Sequence, residues 1–116
     1  MTTLASIPLL GVPVHAVTMA ETLALIDGYM AAPGLHQIAT VNPEFVMAAQ
    51  ADDEFRRVLA AADLCLPDGV GLLYAARRYG RRLPERVPGS ELVYLLAERA
   101  AARGWPLFLL GAAPGV

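Results

Sequence analysis

Apolar residues follow two rhythms along this chain. Short aliphatic or β-branched runs, IPLLGVPVHAV at 7–17, HQIATV at 36–41, DLCLP at 63–67 and WPLFLL at 105–110, are separated by longer stretches. In those stretches apolar positions recur every three or four residues, as Leu23, Ile26 and Met30 do. The short runs predict four strands and the longer ones amphipathic helices. Local signals mark the boundaries. Thr18 and Glu21 form a capping-box pattern that opens a helix over Met19 to Met30, and Pro33-Gly34 closes it. Asn42 before Pro43 predicts a capped helix start, since a proline at the first helical position gives up only an amide that would be unpaired anyway. Asp52-Asp53-Glu54 opens a further helical stretch through Ala62. Asp68-Gly69 turns into the helix GLLYAARRYG, ended by Gly80. Ser90 is the expected cap of ELVYLLAERAAAR, which Gly104 ends.

The resulting order is strand, helix, strand, helices, strand, helices, strand. Parallel neighbours need crossover connections, so this alternation predicts an α/β fold, a Rossmann-like, mainly parallel sheet with flanking helices. The last predicted strand runs into GAAPG and the chain stops at Val116, so the sheet is expected to end after its fourth strand with an edge and an apolar face open to a partner, another copy included.

Composition narrows the function classes. At 116 residues the chain is one domain. Its 56% hydrophobic and 17% charged residues exclude intrinsic disorder. The formal net charge is −2 and all nine cations are arginine, so there is no global cationic field and no nucleic-acid partner is expected. The first twenty residues carry no charged side chain, but Pro8, Gly11 and Pro13 interrupt them and no basic segment precedes them. Neither a signal peptide nor a membrane span is read there. A lone Cys65 offers neither a disulfide nor a paired zinc site, which fits a reducing compartment.

Polar residues cluster where strands are expected to end, the place at which open α/β sheets bind ligands. The second strand delivers Thr40 and Asn42, the third Asp68, and the fourth the turn with Gly111 and Gly115. Each residue also has a plain structural reading: Asn42 as a cap, Asp68 as a turn residue, Thr40 as a strand residue. GAAPG lacks the dinucleotide fingerprint and the phosphate-loop lysine, so it permits close backbone approach and little more. Arg77, Arg78, Arg81, Arg82 and Arg86 lie within ten positions. They read either as a solvated helix face paired with Glu85 or as a diphosphate or anionic-lipid contact, for which a guanidinium fork is suited. His15 and His36 have no partner nearby in sequence and read as structural; Cys65 reads as a small core residue.

Taken together, LLGVPVHAVTMAETL, TVNPEF, LPDGVG, LPERVPGSELV and LFLLGAAPGV resemble, in order and spacing, the blocks of the WecG/TagA/CpsF glycosyltransferase family. The resemblance covers nearly the whole chain and reaches the first half of a typical member, so residues 1–116 are expected to be the N-terminal portion of a glycosyltransferase domain. It implies inverting transfer of a sugar, N-acetylmannosamine, its uronic acid or glucose, from a UDP donor to a polyprenyl-diphosphate-linked acceptor during surface-polymer synthesis. By the same resemblance Asp68 is the catalytic base, Thr40 and Asn42 line the pocket, and Arg86 sits near phosphate. Neither a metal nor another cofactor is implied. The expected location is the cytoplasm, with peripheral contact at the inner face of the plasma membrane. Pro88 departs from the pattern, which leads one to expect a small hydroxyl residue there. The alternative is a non-catalytic sugar-nucleotide or partner-binding module, or an inactive fragment of such an enzyme.

Overall fold

The computed structural model describes residues 4–116. The first apolar run is not one strand but two. Ser6–Leu9 (β1) and Val12–His15 (β2) pair antiparallel, with Leu9 opposite Val12, across the two-residue turn Leu10-Gly11. Both turn residues have positive φ, 49° and 85°, the backbone twist that two-residue hairpins require. Leucine seldom adopts that conformation, which is why the pattern predicts a strand and a looser turn there.

Met19–Ala31 (α1) starts on a complete capping box. The Thr18 hydroxyl accepts from the Glu21 amide at 3.1 Å, and the Glu21 carboxylate accepts from the Thr18 amide at 3.2 Å. Ile38–Val41 (β3) follows, then Pro43–Ala51 (α2), Asp53–Ala61 (α3) and Leu64–Pro67 (β4). Asn42 caps α2 through the Phe45 amide at 2.8 Å, and Asp52 caps α3 through the Phe55 amide at 3.0 Å. β3 and β4 pair in parallel with Ile38 beside Leu64 and Val41 beside Pro67, so β3–α2–α3–β4 is a crossover unit of the kind the alternating pattern predicts. Val70–Arg78 (α4) and Gly89–Arg103 (α5) complete the elements.

Alternation along β4 divides the core between two faces. Leu64 and Leu66 pack with Val17, Ile26, Val87 and Leu92 on the side of α1 and α5. Cys65 packs oppositely, with the hairpin, Val46 of α2, Leu59 of α3 and Leu72 of α4. Burial pushes its thiol up to about 11, and Sγ donates to the Leu59 carbonyl at 3.3 Å, so this cysteine is a protonated core residue.

β2 lies beside β4 without a backbone ladder bond among the described residues. Instead His15 Nδ1 accepts from the Cys65 amide at 2.9 Å. Burial holds the His15 imidazole below its ordinary value, and acceptance at Nδ1 requires that nitrogen to be unprotonated. The unfolded chain therefore takes up this proton first as pH falls. Stability tied to His15 is complete above pH of about 6.5 and is lost as pH drops below it. Urea unfolding from pH 8 down to pH of about 5.5 should show that loss, and His15→Asn should flatten the dependence in this window.

Two further expectations are corrected. Residues 105–110 form no strand. Trp105 packs against the core beside α5, but Leu107, Phe108, Leu109 and Leu110 are exposed. An apolar run becomes a strand only by pairing, and among the described residues no neighbour supplies the ladder. Second, α5 begins at Gly89 rather than after a Ser90 cap, with Pro88 as the preceding residue and no local side-chain cap.

Candidate functional site

The carboxyl ends of β3 and β4 lie side by side, because Asp68 continues the parallel ladder by donating its amide to the Val41 carbonyl at 2.8 Å. With side chains alternating, Thr40 and Asp68 fall on the face occupied by Leu64 and Leu66, toward α5. There Asp68 Oδ2 accepts from the Gly89 amide at 3.2 Å. The missing local cap of α5 is thus replaced by a carboxylate from 21 positions upstream. Among the described residues Oδ1 has no hydrogen-bond partner, and Asp68 is only partly buried. One oxygen fixes the side chain while the other stays available.

Glycines bring the neighbouring backbone close. A Cβ on Gly89 would stand 3.0 Å from Thr40 Cγ2 and 3.6 Å from Asp68 Oδ2. Gly69, at φ 152°, lies against Pro43 and Asn42; a Cβ there would meet Pro43 Cδ at 3.2 Å. Asn42, half-buried, spends its Oδ1 on the α2 cap, which leaves its amide nitrogen as the group free to donate. Neither α4 nor α5 has a local side-chain cap; with the Gly89 amide on Asp68 and the Glu91 amide on the Pro88 carbonyl, the first-turn amides left without a partner among the described residues are those of Val70, Gly71 and Ser90.

Arg86 is exposed, and its backbone is held one residue from the site by the Val87 amide, which donates to the Pro67 carbonyl at 2.8 Å. Glu85 does not pair with the arginine cluster. Its Oε1 accepts from the Met19 amide at 3.1 Å, tying the PERV segment to the start of α1. The structure therefore gathers Thr40, Asn42 and Asp68, with Arg86 at the margin. It does not bring Gly111 or Gly115 there: both lie in the exposed segment after α5, and a Cβ on either would meet nothing within 4 Å. The expected fourth strand that was to deliver them does not form.

Gly69, Gly89 and Glu85 are contributors the residue pattern did not single out. Pro-Gly-Ser and Asp-Gly were visible signals, but close approach between distant backbones is not a local property. His36 stacks on Tyr29 with ring centroids 4.6 Å apart and faces Asp63, outside this cluster. Among the described residues no three His, Cys, Asp or Glu side chains converge as metal ligands.

A crossover α/β unit with a carboxylate and a hydroxyl at neighbouring strand ends holds them where open α/β sheets bind their ligands. The chain belongs to the glycosyl transferase WecG/TagA/CpsF family, whose model matches residues 7–116. It is 34% identical over 79 residues to an N-acetylglucosaminyldiphosphoundecaprenol N-acetyl-beta-D-mannosaminyltransferase of Bacillus spizizenii, covering 68% of this chain and 31% of that protein. A relative of the same name from Staphylococcus aureus is 30% identical over 110 residues, covering 93% of this chain and 43% of that protein. The chain thus spans less than half the length of these curated relatives.

Proposed function

We propose that this chain carries the acceptor-activating half of a glycosyltransferase site. Its substrates are a UDP-linked sugar, N-acetylmannosamine, its uronic acid or glucose, and a polyprenyl-diphosphate-linked acceptor used in surface-polymer or teichoic acid synthesis. The relatives' names support the N-acetylmannosamine donor and the diphosphoundecaprenol-linked acceptor. The carrying observation is the Asp68 carboxylate, anchored by Oδ2 on the Gly89 amide with Oδ1 unengaged among the described residues, on the sheet face it shares with Thr40.

In this reading the acceptor hydroxyl oxygen attacks the anomeric carbon and its proton passes to Asp68 Oδ1. The bond from that carbon to the donor phosphate breaks on the opposite face, and UDP leaves with the electron pair, so configuration inverts. A positioned base contributes about 10²- to 10⁴-fold. Charge growing on the departing phosphate is met by the Arg86 guanidinium and by open amides of α4 and α5, with no metal needed for neutralisation. Thr40 and the Asn42 amide orient the sugar or acceptor.

Calorimetric titration with UDP, together with a turnover assay on UDP-sugar and lipid-linked acceptor, tests the proposal. Binding with transfer, by this chain or by a longer enzyme containing it, supports the reading; binding with no transfer in either would assign a non-catalytic module. Arg86→Ala should weaken UDP binding by about tenfold, the loss of one charge-assisted contact. Unchanged affinity would remove Arg86 from phosphate handling.

A further inference from the structure

Residues 79–88 join α4 to α5 without a helix or strand of their own. Such a connection keeps one conformation only where contacts offset the entropy lost in ordering it. Its first part is held by the Arg81 amide, which donates to the Ala76 carbonyl at 2.9 Å, and by the buried Leu83. Its last part is held by Val87, also buried, whose amide donates to the Pro67 carbonyl at 2.8 Å. Between Leu83 and Val87 a single hydrogen bond remains among the described residues. It is the one in which Glu85 Oε1 accepts from the Met19 amide at 3.1 Å.

Arg86 therefore sits between two ties. The residue after it is fixed to Pro67, the chain neighbour of Asp68, and the residue before it is fixed to the first residue of α1. α1 in turn packs through Ile26 and Leu23 with Leu64 and Leu66 of β4, so both ties lead back to the strand that ends at Asp68. The Glu85 contact is also more than α1 requires. That helix already starts on a complete capping box between Thr18 and Glu21, and Glu85 adds only the Met19 amide to the donors satisfied there. The same contact turns the carboxylate away from its neighbour in sequence. Among the described residues Arg86 forms no ion pair, which leaves its guanidinium to meet an incoming anion.

We propose that Glu85 is the positioning residue for Arg86. By holding the segment against α1 it fixes the Arg86 backbone beside the carboxyl end of β4, so that less freedom is lost when the guanidinium engages the diphosphate of a nucleotide. Glu85 touches no reacting atom and acts through its neighbour alone. For the nucleotide, the inference rests on the function proposed above.

Calorimetric titration of the full chain with UDP tests it. Glu85→Ala should weaken binding about three- to tenfold, the cost of ordering one loosened side chain on binding. Glu85→Gln removes the same charge but keeps an oxygen to accept from the Met19 amide, so it should bind UDP no more weakly than the wild type. Should the alanine variant fail to fold, Glu85→Asp keeps the charge but is one methylene short of Met19, and it should weaken binding in the same way. In an Arg86→Ala background Glu85→Ala should cause no further loss, as expected of two residues that act through one contact. Thr18→Ala supplies the structural comparison: it removes the local cap of α1 and should lower the urea midpoint with UDP affinity unchanged. Wild-type affinity in Glu85→Ala, an equal loss in Glu85→Gln, or full additivity with Arg86→Ala would overturn the proposal. So would a loss in Thr18→Ala as large as that in Glu85→Ala, because the start of α1 would then matter rather than Arg86. A wild-type chain that binds no UDP removes the proposed function and this inference together, whereas a chain that binds UDP equally well without Glu85 removes the positioning role alone.

Discussion

Asp68→Asn, placed in a transfer-competent enzyme containing this chain, should lower kcat by about 10²- to 10⁴-fold while donor KM stays within a few fold. The split follows from the two oxygens doing different work. Asparagine keeps an oxygen with which to accept from the Gly89 amide, so α5 remains capped and the fold persists, but the amide cannot take the acceptor proton. Asp68→Ala makes the contrast. It removes both roles and should additionally cost about 1 kcal/mol of stability, the usual loss for a helix cap. Steady-state kinetics beside urea unfolding on both variants decides the matter. Near-normal turnover in the asparagine variant would reduce this carboxylate to a cap.

Gly69→Ala should be damaging on both counts, with about 2–3 kcal/mol lost in urea unfolding and transfer activity lost with it. At φ 152° the backbone is outside the region open to residues with a Cβ, and that carbon would stand 3.2 Å from Pro43 Cδ. Relief by moving Pro43 shifts Asn42 and the start of α2; relief by moving residue 69 shifts Asp68. Gly80→Ala is the fitting comparison, since φ there is 71° but nothing lies within 4 Å of the added carbon. It should cost about 1 kcal/mol and spare activity. Equal losses in the two variants would mean that conformational strain alone matters and that the contact between Gly69 and Pro43 does not.

What could be read from the residues was whatever is decided within a few positions. The Thr18–Glu21 box, the Asn42–Pro43 and Asp52 helix starts and the Gly104 stop, at φ 69°, stand where the local chemistry placed them. The short apolar runs were also enough to put Thr40 and Asp68 at the ends of strands, though not to show that those strands pair. The misses involve partners far away along the chain. Gly89 finds its cap in Asp68, Met19 finds an acceptor 66 positions on in Glu85, and residues 105–110 have strand composition but no ladder to join. The hairpin was hidden for a different reason. Leu10 adopts a left-handed conformation that its side chain disfavours, so the turn lacks the usual Asn-Gly signature.

The imidazole of His15 has a consequence for solution behaviour. By occupying the Cys65 amide it satisfies a buried donor that β2, lying beside β4 without a ladder bond, would otherwise leave unmatched. Protonation withdraws that acceptor, so mild acid loosens the hold of the hairpin on β4. Storage and crystallisation are therefore best kept on the alkaline side of imidazole titration.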